Sequence, residues 1–325
     1  MKIELNSLGL RFLAILFIPL VIIFFSIAAI SIKEIKREVY ETQKIDLQEE
    51  AADLKNLVDI ILSKQYLSID FLSKTDEIIK SVLDDDVAKA MNYLDSEKEK
   101  LPLADALYIL TPEGIMWGDT GGGKAIGIDL SKSDIYKKLK KTPENVYFST
   151  VYEKSPISGH ITLSAGRGII NNNQVVGYFV FCLNINKLSD TYVSEEVFGS
   201  EGYAFMADEN GILLSHPDKD ALLTDQSHDG GAVQMIITDK KATDFDEYTF
   251  KGKKKYLSYS KLENMPWFVI ASISKDDLLS SAKILTRIFI LVSIISLIAL
   301  FLIINFMIRK IIITRIKKLE KNLVV

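Results

Sequence analysis

The stretch GYAFMADENGILLSHPD, residues 202–218, decides how this chain is to be read. Tyr203 to Ala207 is a short apolar run carrying aromatic side chains, suited to a pleated, half-buried strand. Asp208-Glu209-Asn210-Gly211 supplies turn chemistry, with Gly211 free to take a positive φ. Ile212 to Leu214 resumes the apolar run, so the unit reads as a β-hairpin. Ser215-His216-Pro217-Asp218 ends the second strand, because proline has no N–H to give to a ladder.

FMADENGI at 205–212 has an earlier counterpart in YILTPEGI at 108–115: an aromatic, two apolar residues, a turn run, glycine, isoleucine. Gly114 and Gly211 hold the same place in the two copies. Strand–turn–strand units are common, but the flanking elements repeat as well. The chain therefore reads as two similar modules in tandem.

With 325 residues the chain can bury the cores of two ordinary domains. A net charge of −4 and a charged fraction of 25% do not point to nucleic acid. The mean hydropathy of +0.17 is high for a soluble protein, and two segments account for it. Phe12 to Ile32 and Ile288 to Ile308 contain no charged residue. As helices they are each roughly 30 Å long, the thickness of a bilayer's hydrocarbon core. The second is too long for a buried core helix and is bracketed by Arg287 and Arg309. The first competes with a cleaved signal peptide, since Ser26-Ile27-Ala28 is a passable small-x-small site. Its long apolar run and weakly basic start favour a retained anchor.

Beyond the second span come Arg309, Lys310, Arg315, Lys317, Lys318 and Lys321, opposed by Glu320 alone. The positive-inside rule makes that end cytoplasmic, and two spans return the N-terminus to the same side. Residues 33–286 are thus expected outside the cell membrane. Cys182 is the single cysteine, so an internal disulfide is excluded and the thiol reads as a small buried hydrophobe.

Residues 33 to about 75 read as one long stalk helix, with Ile35, Val39, Leu47, Leu54, Leu57, Val58, Ile61, Leu62 and Leu72 mostly at helical spacing. Its apolar stripe can pack on its own domain or on a second subunit; a homodimer through the stalk is expected. Asp84-Asp85-Asp86 reads as the solvated end of a following helix, without metal-ligand spacing. The expected division is 1–11 cytoplasmic, 12–32 first span, 33–99 stalk and following helices, 100–193 membrane-distal module, 194–286 membrane-proximal module, 287–308 second span, and 309–325 cytoplasmic helix. Within the first module, DLSKSDIYKKLKK at 129–141 reads as a helix, and strands are expected at 145–152, 160–167 and 175–183. The second repeats the plan with a helix near 231–238 and strands at 248–250, 255–260 and 267–274.

GDTGGGKA at 118–125 approaches a phosphate-binding loop, but Ala125 stands where the magnesium-holding hydroxyl belongs. It is read instead as a lip over a pocket or a surface turn. His160, His216 and His228 show no zinc-ligand spacing, His216 beside Pro217 reads as structural, and no G-x-S-x-G occurs. No enzyme, metal or cofactor is expected. A ligand pocket is: Trp117, Asp119, Ser133, Asp134, Tyr136, Tyr152 and Arg167 fall at loops and strand ends expected around one face of the first module's sheet. Each aromatic would serve equally well as core.

At this point the chain resembles the bacterial double Cache receptors. The resemblance lies in Gly202, Tyr203, Phe205, Asp208, Gly211, His216, Pro217 and Asp218, in MPWFVIASISKDDL at 265–278, in DLSKSDIYKK at 129–138 and in VYEKSPISGHITLSAGR at 151–167. IITRIKKLEKNL at 312–323 resembles the start of a HAMP linker helix, with Arg315 where a proline is usual. The resemblance implies an α+β fold of two PAS-like modules with antiparallel sheets on the stalk helix, between two membrane helices. It implies a small-molecule ligand in the distal module and a signal sent through the second span to a chemotaxis-type or other cytoplasmic output. That output is expected beyond a truncated end or in a separate signalling partner. An anchored binding module without signalling, serving transport or surface interaction, is the alternative. Family members that bind amino acids carry an arginine and a tryptophan where Ser133 and Ile135 stand, whereas Tyr136 and Tyr152 match. The family's amine-binding aspartate falls near Cys182 or Asn184, which adds Asn184 to the candidate ligand residues. Without that arginine and aspartate, an ordinary α-amino acid is not the expected ligand.

Overall fold

A computed structural model describes residues 2–155, 157–228, 230–308, 310 and 314. The expected HAMP-like helix of 309–325 lies outside these residues except at two positions. The chain forms two compact units, Met1–Asp46 with Lys275–Val325, and Leu47–Ser274.

In the first unit, the start of α1 (Lys2–Leu72) accompanies α7 (Lys275–Leu278) and α8 (Ser280–Met307). α1 continues through Pro19. Phe17 meets Phe301 edge to face at 5.3 Å, and Phe24, Ala28, Phe289 and Ser293 border one groove, so α1 and α8 run antiparallel. Both contain stretches long and apolar enough to cross a membrane.

The second unit holds the rest of α1, then α2 (Asp76–Leu83) and α3 (Val87–Lys98), followed by two antiparallel sheets. The first sheet comprises β1 (Ala104–Leu110), β2 (Met116–Asp119), β3 (Tyr147–Lys154), β4 (Ile161–Asn171) and β5 (Gln174–Asn184), in the order β2-β1-β5-β4-β3. α4 (Asp134–Lys141) lies between β2 and β3 in the chain, and α5 (Ile185–Tyr192) follows β5 directly. The second sheet comprises β6 (Val197–Phe198), β7 (Gly202–Asp208), β8 (Leu213–Ser215), β9 (Thr243–Phe250), β10 (Lys253–Lys261) and β11 (Trp267–Ser274). β7 pairs with β8 on one side and β11 on the other, and β11-β10-β9 completes the path. With α6 (Ala232–Asp239) between β8 and β9, strand order and helix position repeat those of the first sheet. β6, the one addition, pairs with the start of β7.

The repeat extends to single hydrogen bonds. Thr111 Oγ1 accepts from the N–H groups of Glu113 and Ile115, and Asp208 Oδ1 accepts from those of Asn210 and Ile212. Gly114 and Gly211 have φ of +93° and +94°. Asp129 and Asp225 each bridge back to the isoleucine after that glycine and accept from Ser131 and Ser227 respectively. A short polar side chain that closes the turn on its own backbone is what both sequences supply.

α1 follows from its apolar spacing. Leu47, Ala51, Leu54, Val58, Leu62, Ile69 and Leu72 recur at steps of three, four and seven residues and are buried. Leu57, expected in that stripe, falls off it and is exposed. The stripe joins one core with Leu107, Ile109, Phe179 and Phe181 of the first sheet and Met206, Trp267 and Val269 of the second. The opposite face of each sheet has a smaller core of its own, under α4 and under α6. The aspartate run is more than a solvated end: Asp86 caps α3 by accepting from Lys89 N–H, and Asp85 accepts from Trp117 Nε1 at 2.8 Å. α5 escapes the sequence reading because Asn184, its N-cap, continues the apolar run of β5 without a break.

Glycines 211 and 252 separate two costs. A Cβ on Gly211 would lie 2.7 Å from Ser227 Cβ, whereas at Gly252, with φ +76°, it would meet open space. Gly252→Ala should therefore lose about 1–2 kcal/mol from the positive φ alone, and Gly211→Ala visibly more. Denaturation of the full chain in detergent checks this, and equal losses would show that the Ser227 contact is immaterial.

Candidate ligand-binding face of the first module

α4 begins at Ser133, whose Oγ accepts from Tyr136 N–H at 3.3 Å and donates to the Leu130 carbonyl at 2.7 Å. This cap directs Ile135, Tyr136 and Leu139 onto Tyr108, Val180 and Cys182 of the sheet. Tyr136 packs edge to face on Tyr178 at 5.5 Å, and its hydroxyl donates to the Pro112 carbonyl at 2.8 Å. Asp134 accepts from Ser149 Oγ at 2.9 Å and Tyr147 Oη at 3.3 Å, tying α4 to β3.

The glycine-rich loop after β2 closes over the same face. The buried Asp119 carboxylate accepts from the N–H groups of Gly121, Gly123 and Ala125 at 2.7, 3.2 and 3.0 Å. Those amides are the ones a phosphate would need, and a carboxylate already holds them. A Cβ on Gly121 would fall 2.2 Å from Ile157 Cγ2, so a larger residue there would force one of the two to shift.

At the far end of the face, Asp105 accepts from Ser158 Oγ at 2.6 Å and Asn184 Nδ2 at 3.3 Å, and pairs with His160 Nδ1 at 2.8 Å. Burial would raise the Asp105 pKa, but hydrogen bonds from Ser158, His160 and Ser155 outweigh it and hold the carboxyl below its ordinary range. The buried Cys182 and Tyr108 nearby stay neutral. Burial, with the charge of Asp105 adding to it, pushes the Cys182 thiol up to about 12, and burial raises the Tyr108 phenol well above its ordinary value. A thiol so placed carries almost no thiolate at neutral pH and makes a poor nucleophile. Among the described residues, no three of His, Cys, Asp and Glu come together as a metal site. The face combines buried aromatic rings, a capped helix and a polar cluster at one end.

The eight candidate residues do not gather on one face. Ser133, Asp134, Tyr136 and Asp119 frame the α4 side, and Asn184 reaches its far end through Asp105. Trp117, Tyr152 and Arg167 are associated with the opposite core, against the helices and the second sheet. Side chains alternate along a strand, and Arg167 shares its parity with Leu163, Ala165 and Ile169. Its Nε lies 3.2 Å from Asp70 and donates to the Glu144 carbonyl, while Nη1 reaches Ser73 Oγ. Tyr152 donates to Asp208 Oδ2 at 3.2 Å, connecting the two modules, and burial beside that carboxylate raises its phenol pKa. Sequence reasoning missed Asp105, Ser158, Tyr108 and Tyr178. A lone acid inside the apolar run ADALYIL was the available signal.

Comparison with known proteins places this geometry. The ligand-binding domain of the Pseudomonas fluorescens chemoreceptor CtaA, solved with L-isoleucine, superposes with a TM-score of 0.59 at 19% identity, covering 76% of this chain and 98% of that domain. The corresponding domain of Campylobacter jejuni Tlp3, with 4-methylisoleucine, gives 0.61 at 13% identity, covering 74% and 94%. These likenesses show the fold. In sequence, the Bacillus subtilis methyl-accepting chemotaxis protein McpC is 24% identical over 225 residues, which are 68% of this chain and 30% of that receptor. The Cache domain family matches residues 31–282, covering α1 beyond its first apolar stretch and both sheets, and the chain belongs to that family.

Proposed function

We propose that this chain is the sensory part of a two-pass membrane receptor, with residues 33–286 outside the cell and a small ligand bound on the α4-covered face of the first module. The observation that carries the reading is that face itself: Tyr136 and Tyr178 as walls, and the Asp105 cluster as a polar end. The apolar stretches of α1 and α8 support the anchoring; Ile22, Phe25, Ile294 and Leu302 stand exposed on them, an arrangement that lipid tolerates and water does not. The relatives are chemotaxis receptors, which favours a cytoplasmic output of that kind.

The ligand is read as something other than an ordinary α-amino acid. The amino acids named for the solved neighbours give this no support; it rests on the chain's own residues. Ser133 brings no cation and its hydroxyl is spent on the helix cap, and Asn184 is engaged by Asp105 and Lys187 N–H. A thermal-shift screen of the full chain in detergent tests the site. Hits that bind the folded state raise the melting point, and Tyr136→Ala should remove at least tenfold in affinity. Shifts surviving that change would move the site elsewhere, and a shift with L-serine or L-isoleucine would restore the amino-acid class.

The path to the membrane is read from chain continuity. β11 ends at Ser274 and α7 begins at Lys275, with Leu279 alone between α7 and α8. Joined to a chemotaxis output, the chain should lose ligand-dependent signalling but keep binding when four glycines are inserted after Leu279. Intact signalling would refute this route.

A second copy is proposed to cover the outer stripe of α1. Leu57, Ile60, Leu67 and Phe71 are exposed at steps of three, seven and four residues, a single helix face. Leu67→Glu should weaken the dimer on the order of a hundredfold, as read by light scattering in detergent. A variant as dimeric as the parent would rule out this face.

A further inference from the structure

The α6-covered face of the second module differs from its counterpart in one respect that matters. In the first module, a Cβ on Gly114 would collide with the ring of Tyr136; at Gly211 the nearest atoms are all of Ser227. α6 meets its sheet with Ala232, Val233 and Ile236 and offers no aromatic ring. The space is left as a cavity of about 420 Å³. That is within the range of small-ligand sites, roughly 300–1,000 Å³.

The lining sets the chemistry. Tyr203, Phe205, Tyr248 and Phe250 give flat apolar walls. His216 stands edge-on to Tyr203 at 5.1 Å and to Phe205 at 5.9 Å. Its Nδ1 accepts from Asp218 N–H at 3.0 Å, which fixes the proton of the neutral ring on Nε2 and makes it a donor. Burial lowers its pKa, so it stays neutral. Lys251 lines the cavity from the β9–β10 turn, and Lys255 holds its Nζ over the Tyr203 ring at 4.4 Å. Among the described residues Asp218 is the one acid in the lining, and its Oδ1 accepts from Asp220 N–H. Gly231, the N-cap of α6, also lines the cavity and adds no side-chain acceptor, so the helix dipole acts in the same sense as the lysines.

We propose that the second module carries a ligand site of its own in this cavity, for a small organic carboxylate with an apolar or aromatic body. The body lies among the tyrosine and phenylalanine rings, and the carboxylate meets Lys251 and His216 Nε2–H. This goes beyond the first-module reading and does not depend on it.

Calorimetric titration of the full chain in detergent with propionate, butyrate and benzoate, against propionamide, butyramide and benzamide, tests the proposal. At least one carboxylate should bind, and its amide should bind tenfold or more weakly. Ala232→Trp should abolish binding by filling the cavity. Lys251→Gln, at an exposed turn, should weaken it about tenfold and stands in if the tryptophan variant fails to fold. No binding by any carboxylate, equal binding by the amide, or binding indifferent to Lys251→Gln would overturn the proposal. Loss of binding through Tyr136→Ala would also overturn it, by moving the carboxylate to the first module and leaving that module's reading intact.

Discussion

Each sheet has two apolar faces, and a short helix covers only one of them. The other faces of both sheets are buried together against α1, whose stripe from Leu54 to Leu72 joins Phe179 and Phe181 of the first sheet and Trp267 and Val269 of the second in one core. A buried leucine or phenylalanine contributes about 1.5–3 kcal/mol, so this shared layer holds the modules on one helix. Polar contacts fix their positions along it. Asp59 accepts from Glu263 N–H, and Lys55 bridges Asp59 and Glu263 at 3.0 and 2.5 Å, where the β10–β11 connection meets the helix. Near the C-terminal end of α1, Asp70 and Ser73 hold Arg167 of β4. Because Arg167 is buried, removing its partners would leave an uncompensated charge, which makes the contact specific as well as adhesive.

This arrangement divides the labour between faces. The shared core is apolar and continuous, apart from the contacts that clasp it. The outward faces, under α4 and α6, carry the polar groups: Asp105 with His160 and Asn184 in the first module, His216 with Lys251 in the second. Tyr152 is the exception that couples the two, donating from the first sheet to Asp208 at the turn of the second. Asp208 also closes that turn by accepting from Asn210 and Ile212. That one hydrogen bond ties β3 of the first sheet to the β7–β8 turn of the second.

The duplicated scaffold is the same in both halves, while the rings placed on it differ. Strand order, turn closure and the glycines at +93° and +94° are shared. Tyr136 stands over the sheet on one side where Ala232 and Val233 stand on the other. Backbone hydrogen bonding fixes the common part, because each turn needs its polar side chain and its left-handed residue. Side-chain volume is free to vary within it.

The sequence alone determined the hairpins, the helices other than α5, the two apolar stretches and the tandem repeat. These are properties of local spacing: period two in strands, three to four in α1, and turn residues such as Asn172 and Asn173 at positive φ. Tertiary structure decided which face each candidate residue serves. Pairing irregularities between Ala104 and Ala106, and between Phe148 and Tyr152, break the simple alternation near Asp105 and Tyr152. Asp105, His160 and Asn184 come from three strand ends far apart in the chain and meet only because β4, β5 and β1 lie side by side. Ala125 alone argues against a phosphate site in the glycine-rich loop, but that Asp119 occupies its amides is decided by folding, since which acceptor a backbone N–H meets is not set by spacing.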